Sequence, residues 1–334
     1  MESGLEGFVV QRPLVPSLSE TYSLGDALLE VRTDRRSFND RFRDNYAECS
    51  VPTPGRKADV VLHVRTLQED AVVASFEVTT ASLPSDFPTV FLPPRRSDRP
   101  ASRAGWTVAE LDHPVGQVAF SGQALAADPA SPWEALIASV AVNLALSVQP
   151  QTMFFHGAAV RVNGTGVLLL GVSGAGKTSL SLALASRGHG FYGDDIVGVR
   201  LDSGAIVPLR RAAHVRPGPA AAAVTNALDR SAAQQGAERR LADVSRLFPQ
   251  AGAEAGTLDV TVCLRRFAAV TRLTPFAPRP QDLPWVTPHV GSLHAGNVAE
   301  RAMHVLSLVS DSRCFFLDSA SPGSAADALE RLTE

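Results

Sequence analysis

Hydrophobic and polar positions follow two different patterns along the chain. Up to residue 130, short apolar or alternating runs such as 60–64 and 72–78 predict β-strands, and the polar residues 68–70 between them predict a hairpin turn. Residues 37–46 predict a short helix among these strands. We therefore expect a β-rich N-terminal domain over residues 1–130.

From residue 131 the pattern changes to alternating helices and strands. Ser131, Pro132 and Glu134 form a capping signature that predicts a helix running to about Val148. The apolar run 167–170 predicts a buried strand. Further strands are predicted over 196–201, 205–207, 258–264 and 314–317, and helices over 178–185, 295–308 and 322–332. This order is typical of an α/β domain, which we place at 131–334.

Composition narrows the classes of protein. A net charge of −3 and the absence of a long basic tract argue against a nucleic-acid surface. Three widely spaced cysteines suggest no disulfide framework and favour a reducing, cytoplasmic compartment. The N-terminus lacks a signal-peptide pattern, and the apolar segment 133–148 is too short to span a bilayer, so we expect no membrane association.

Residues 171–178 form a complete phosphate-binding motif between the predicted strand and helix. Glycines let the backbone N–H groups turn inward around phosphate oxygens, and the following helix directs its N-terminus at the anion. Lys177 is suited to neutralise the β/γ charge, and Thr178 offers a hydroxyl to Mg²⁺. The predicted cofactors are ATP and Mg²⁺, and the predicted nucleotide-binding residues are Gly171, Val172, Ser173, Gly174, Ala175, Gly176, Lys177, Thr178 and Ser179.

Lysine usage strengthens this interpretation. The chain contains only two lysines, Lys57 and Lys177, against twenty-nine arginines. A compact ammonium fits between phosphates where a planar guanidinium does not. A chance Gly-rich turn is therefore a poor explanation of the motif, which we call the phosphate loop.

Two acidic positions compete for the magnesium and acceptor roles of phosphoryl transfer. Asp318 follows an apolar run, as a Walker B aspartate does, but it also precedes the last helix and could help to cap it. Asp194 and Asp195 come seventeen residues after Lys177 on the next predicted strand. We favour this pair, because a strand lying beside the phosphate-loop strand brings both carboxylates near Thr178, and adjacent residues of an extended chain point to opposite sides.

These motifs together resemble the catalytic domain of the HPr kinase/phosphorylase family. The resemblance spans roughly residues 154–200 and rests on Phe155-His156-Gly157-Ala158-Ala159-Val160, the phosphate loop, Arg187-Gly188-His189 and the Asp194-Asp195 pair. It implies that Asp194 is the general base with His156 beside it, and that Asp195 and Thr178 hold magnesium. It also implies a short, partly mixed sheet akin to that of ATP-dependent phosphoenolpyruvate carboxykinase.

The chain also departs from this family. The Leu-Glu-Ile-Arg-Gly signature linked to dephosphorylation is absent, and the region 209–218 holds a basic cluster instead. Within that cluster, Arg210 and Arg211 are candidates to grip the γ-phosphate or an acidic substrate segment. The overall layout resembles the divergent HPr-kinase-like proteins, which include tailoring kinases of ribosomal peptides such as lasso peptides.

Three functions remain open on the sequence. The first is a kinase acting on a Ser or Thr hydroxyl of a peptide or protein, with the N-terminal domain recognising the partner. The second is a kinase of a serine-like metabolite, which the Ala- and Gly-rich segment 217–256 disfavours because it suggests an open site. The third is a nucleotide-gated ATPase or binding module. A homo-oligomer is compatible with the resemblance, and the oligomeric state is left open.

Overall fold

The computed structural model describes half of the predicted N-terminal domain and most of the predicted C-terminal domain. The described residues are 18–66, 72–78, 106–108, 115–120, 133–215, 240–279, 281, 286 and 298–334. The predicted capping residues Ser131 and Pro132, the hairpin turn 68–70 and most of the segment 217–256 lie outside them.

The N-terminal part forms a six-stranded sheet in the order β1-β2-β3-β4-β6-β5. Its strands are β1 Leu18–Leu24, β2 Ala27–Thr33, β3 Val60–Thr66, β4 Val72–Val78, β5 Trp106–Val108 and β6 Val115–Phe120. β3 and β4 pair antiparallel, as the predicted hairpin requires, whereas β2 and β3 pair in parallel. The expectation of a β-rich N-terminal part is confirmed for the described residues.

Two helices share one core with this sheet. They are α1 Arg36–Tyr46, which buries Phe38 and Phe42, and α2 Trp133–Ser147, which buries Ile137 and Leu144. Because α2 is apolar around its circumference, it is stable only when it is enclosed. Among the described helices none is long and apolar enough to cross a bilayer. By its packing α2 belongs to the N-terminal core, and the division at residue 130 stays a prediction.

Twelve strands follow among the described residues of the second part of the chain. They are β7 Thr152–Phe155, β8 Ala158–Val162, β9 Thr165–Leu170, β10 Gly190–Asp194, β11 Val197–Arg200, β12 Ala205–Val207, β13 Ala213–Val215, β14 Arg240–Ala242, β15 Gly256–Thr257, β16 Val260–Phe267, β17 Arg272–Pro275 and β18 Arg313–Ser319. The largest sheet that these strands form has the order β10-β8-β9-β16-β18-β17. β16 runs parallel to β9 and to β18, whereas β8 and β17 are antiparallel to their neighbours, so the sheet is mixed.

The α-helices that the structure describes beside these strands are α3 Lys177–Ser186, α4 Val244–Leu247, α5 Val298–Ser310 and α6 Pro322–Thr333. Buried residues of α3 and α6 form one core with β8, β9 and β16, whereas α5 contributes Val305 and Val309 to a second core. The predicted helices at 178–185, 295–308 and 322–332 are confirmed within a few residues. The observed architecture is the predicted mixed α/β fold.

The position of β10 differs from the expectation. The sequence predicts β10 beside β9, but β8 lies between the two strands. β8 and β9 form a hairpin that turns at Asn163 and Gly164, both with positive φ. β8 therefore occupies the position next to β9 in which the sequence predicts β10. Since β8 is antiparallel to both β9 and β10, the ends of β9 and β10 still meet at the same edge.

Candidate active site

The phosphate loop joins the end of β9 to the start of α3. Gly174 and Gly176 adopt left-handed φ values of 86° and 98°, which glycine reaches without steric cost. Gly176 is the N-cap residue of α3, so the backbone N–H groups of the first helical turn face the loop. Val172, Ser173 and Gly174 are exposed, and Ala175, Thr178 and Ser179 are half-buried. The loop therefore has the conformation that phosphate oxygens require.

Lys177 folds across this loop instead of extending into solvent. Its Nζ donates to the carbonyl of Gly171 at 2.6 Å and lies 3.4 Å from that of Val172. Burial lowers the pKa of Lys177, and the charges of Asp194 and Asp195 oppose this effect. The ammonium is thus held at the loop by two of its backbone carbonyl groups.

Thr178 is tied to the first aspartate of the pair. Its hydroxyl donates to Oδ2 of Asp194 at 2.8 Å. Asp194 ends β10 and is only 3% exposed. Burial raises the pKa of Asp194 to about 6, although the Thr178 hydrogen bond acts in the opposite direction. A hydroxyl and a carboxylate in contact at a phosphate loop form a set of hard oxygen donors.

Asp195 has different surroundings, although it is the next residue. It adopts a left-handed φ of 71°, which is strained for a residue with a side chain, and its carboxylate is 40% exposed. Nδ1 of His156 lies 2.9 Å from one carboxylate oxygen, and a guanidinium nitrogen of Arg211 lies 2.8 Å from the other. Burial tends to raise the pKa of Asp195, but His156 and Arg211 together hold it low, at about 2.

His156 lies between β7 and β8, half-exposed, at the edge of the sheet where Asp195 lies. The hydrogen bond to Asp195 raises the pKa of His156, which favours the imidazolium form beside the carboxylate. The sequence placed His156 next to Asp194, but its contact in this structure is with Asp195.

Two other predicted residues are engaged elsewhere. Arg210 donates to the backbone carbonyl of Ala253, so the structure does not bring its guanidinium to the aspartate pair. Asp318 forms ion pairs with Arg265 and Arg266, at 2.7 Å and 3.4 Å. The suggested capping role of Asp318 is wrong, because Ser321 accepts from the backbone N–H of Ser324 and caps α6. The charge of Asp318 is neutralised locally.

Sequence reasoning missed one component of the site, which comes from the N-terminal part. The carbonyl of Asn45, on α1, accepts from the backbone N–H of Ala212 at 2.8 Å. The guanidinium carbon of Arg211 lies 5.9 Å from the ring centre of Tyr46 on the same helix. A pairing between residues 165 positions apart leaves no periodic signal in a sequence.

The oxygen ligands at the phosphate loop determine how magnesium would be held here. Among the described residues no group of three or more His, Cys, Asp or Glu side chains forms a closed cation site. Thr178 and Asp194 nevertheless fit Mg²⁺, which proteins commonly bind through one or two oxygen ligands together with substrate phosphates.

The fold and the loop define a mixed α/β protein with a strand–phosphate loop–helix site. Comparison with known proteins then identifies its relatives. Residues 148–211 match the family model of the HPr serine kinase C-terminal domain. That segment of the chain is therefore similar to the HPr serine kinase C-terminal domain, which confirms the resemblance seen in the sequence.

Individual relatives agree with this family. The chain is 52% identical over 46 residues to an HPr kinase/phosphorylase of Chlorobium phaeovibrioides, which is 14% of each chain. It is 39% identical over 72 residues to one of Clostridium botulinum, covering 22% of this chain and 23% of the relative. The Hpr(Ser) kinase/phosphatase of Coxiella burnetii is a structural neighbour at 19% identity, with a TM-score of 0.21, covering 36% of this chain and 76% of that one. The chain thus matches less than a quarter of the length of the Chlorobium and Clostridium relatives.

Proposed function

We propose that this protein is an ATP- and magnesium-dependent kinase that transfers the γ-phosphoryl group to a Ser or Thr hydroxyl of a peptide or protein. The observation that carries the proposal is the pair of aspartates beside the phosphate loop, one touching Thr178 and the other half-exposed. A protein that only binds a nucleotide has no need of the second carboxylate. Tailoring of a ribosomal peptide is the narrower form of this proposal, and the cytoplasm is the compartment we propose.

The donor side of the reaction falls to the loop. Its backbone N–H groups and Lys177 hold the triphosphate, and Thr178 and Asp194 are the residues that would hold Mg²⁺. Magnesium, when bound with the nucleotide, neutralises charge on the β- and γ-phosphate oxygens. The buried Asp194 has little access to an acceptor, which suits a ligand role better than that of a base.

Asp195 is the residue that acts on the acceptor hydroxyl. Its exposed carboxylate accepts the proton of the incoming hydroxyl, while His156 and Arg211 fix its orientation. A low pKa does not disqualify Asp195, because catalysis of phosphoryl transfer relies mainly on positioning and charge stabilisation. The sequence resemblance makes Asp194 the general base and Asp195 a magnesium ligand. These contacts favour the reverse assignment, with Asp195 as the base and Asp194 as the ligand.

The substrate is the least constrained part of the proposal. The curated relatives are named HPr kinases/phosphorylases, but the matched segment covers only a small part of each. The N-terminal sheet, through α1, adjoins the acceptor side of the site at Asn45 and Tyr46, and we assign it to recognition of the peptide or protein.

The destination of the γ-phosphate tests the proposal. The full chain is incubated with γ-labelled ATP, Mg²⁺ and a fractionated bacterial lysate, with Asp195→Asn as the matched control. We expect label on a peptide or protein with the native chain and none with the variant. Label on a low-mass metabolite would replace the acceptor class with a serine-like molecule. Release of inorganic phosphate alone, at a rate independent of lysate, would overturn the kinase proposal in favour of a nucleotide-driven module.

A further inference from the structure

Phe267 is an aromatic residue exposed beside the phosphate loop. Phe267 ends β16 and is 64% exposed, although burying a phenyl ring away from water is energetically favourable. The ring also lies against the loop, since a Cβ built on Gly176 would be 3.6 Å from Cζ of Phe267. An exposed aromatic face at the entrance of a phosphate site is a surface on which a planar ligand can stack.

The strand register explains this position. β16 runs parallel to β9 with Cys263 opposite Leu170, the last residue before the loop. β16 therefore continues for four residues beyond the end of β9, alongside the loop. The same approach appears at Gly171, where a Cβ would lie 2.9 Å from the carbonyl oxygen of Leu264. Phe267 thus lies at the carboxyl edge of the parallel strands, where open α/β sheets bind their ligands.

The two flanks of the loop carry different chemistry. On the side of β8 and β10 lie His156, Asp194 and Asp195, which the proposed function makes the side of the terminal phosphate and the acceptor. On the side of β16 lies Phe267. A nucleotide whose γ-phosphate faces the aspartates extends its nucleoside end the other way, toward β16.

The two arginines near the end of β16 do not occupy the surface that Phe267 presents beside the phosphate loop. Arg265 and Arg266 both pair with Asp318 of the neighbouring strand, and the guanidinium of Arg265 stacks 4.9 Å from the ring centre of Phe316. Their charges are thereby directed toward β18, and the ring of Phe267 is left as the apolar surface next to the loop.

We propose that Phe267 is the platform on which the base of the bound nucleoside triphosphate stacks. This inference rests on the proposed function, because it assumes a nucleotide in the phosphate loop. Stacking on a single aromatic face gives affinity with little discrimination among bases, since every base presents a π-face.

Calorimetric titration of the full chain with ATP and with inorganic tripolyphosphate, both with Mg²⁺, separates the base from the phosphates. We expect Phe267→Ala to weaken ATP binding by between about fivefold and about 100-fold. Tripolyphosphate binding should not change, because the loop remains intact. The matched control is Met303→Ala, which removes an equally exposed apolar side chain from α5 and should leave both affinities unchanged.

A spectroscopic variant gives an independent readout. Phe267→Trp places an indole at the same position, and ATP should quench its fluorescence whereas tripolyphosphate should not. The signal of the three native tryptophans is subtracted by means of the unsubstituted chain.

Each remaining outcome contradicts the inference in a different way. Equal ATP affinity in the native chain and Phe267→Ala would remove the stacking role while leaving the proposed function intact. An equal loss for ATP and tripolyphosphate would mean that the ring supports the loop and does not hold the base. Failure of the native chain to bind either ligand would overturn the inference together with the proposed function.

Discussion

Asp194 and Asp195 are consecutive residues with opposite electrostatic environments. The Asp194 carboxylate is buried beside a neutral hydroxyl, so its ionised form is poorly solvated. The Asp195 carboxylate contacts a guanidinium and an imidazole that stabilise its charge. β10 ends at Asp194, and the chain turns through a left-handed conformation at Asp195.

The first prediction concerns the stability of the protein without nucleotide or metal. The pKa of Asp194 is raised from 3.8 to about 6, so ionising this group destabilises the fold. Its stabilising contribution is complete below about pH 4 and is lost as the pH rises through about 6. A pKa change of this size corresponds to an upper limit of ~3 kcal/mol. Asp194→Asn should therefore raise the free energy of unfolding at neutral pH.

Urea denaturation from about pH 4 to about pH 8 measures this effect. The difference between Asp194→Asn and the native chain should grow between about pH 4 and about pH 6 and level off above about pH 6. Asp44→Asn, at an exposed position on α1, serves as the control. A constant difference across the range would show that Asp194 is not desolvated in the folded protein.

The second prediction concerns Lys177. Replacing it with Arg keeps the positive charge, but a planar guanidinium cannot take the folded path of Nζ to the Gly171 carbonyl. The guanidinium would then be misplaced for its hydrogen bond to the bound phosphate. Loss of a hydrogen bond to a charged group costs ~1.5–3 kcal/mol, so tripolyphosphate affinity should fall by roughly tenfold or more. Lys57→Arg, at the other lysine of the chain, is the matched control. Unchanged affinity in Lys177→Arg would contradict the assigned role.

At the scale of elements, α3 depends on α6 for its position. The two helices share one core, and Arg187 just after α3 pairs with Asp327 and Glu330 of α6. α6 in turn begins with a reciprocal capping box between Ser321 and Ser324, with Pro322 at its first position. The helix that follows the phosphate loop is therefore fixed through the start of the last helix.

Ser321→Ala should reduce the free energy of unfolding by ~1 kcal/mol, because it removes the acceptor for a backbone N–H of the first turn. Thermal or urea denaturation of the full chain measures this loss. Ser310→Ala, at the exposed end of α5, should change stability by less. Equal effects of the two substitutions would argue against the cap as the cause.

The sequence predicted individual elements better than their neighbours in the sheet. The bounds of α2, α3 and α6 follow from apolar patterns and local capping signals, which act over a few residues. The insertion of β8 between β9 and β10 depends on which strand pairs form, and apolar alternation does not specify this. Asp318 shows the same limit, because its ion pairs with Arg265 and Arg266 depend on the parallel pairing of β16 and β18.

At the scale of the whole molecule, helix α1 of the N-terminal part touches the site beside Arg211. Asn45 contacts His214 as well as the backbone of Ala212, and Tyr46 lies under Arg211. The sequence indicated the donor half of the site through the phosphate loop, whose residues are contiguous. It could not indicate this contact, since α1 and the segment after β12 are brought together only by the complete fold.

The fourth prediction tests this contact. Tyr46→Leu should leave Arg211 less firmly placed on Asp195, and turnover on the identified acceptor should fall between about tenfold and about 100-fold. ATP affinity should stay the same, because the phosphate loop is not touched. Tyr22→Leu, which removes another buried tyrosine of the same core, controls for lost stability and should retain turnover per folded molecule. A parallel loss in both variants would reduce the role of Tyr46 to packing.

The most direct test of the account is a comparison of Asp194→Asn and Asp195→Asn in one assay of γ-label transfer and one of Mg²⁺–ATP binding. We predict that Asp195→Asn abolishes label transfer to peptide or protein and keeps ATP affinity. Asp194→Asn should weaken the Mg²⁺-dependent part of ATP binding. Near-normal transfer by Asp195→Asn, together with loss of transfer at unchanged ATP affinity in Asp194→Asn, would contradict these roles and return the base to Asp194.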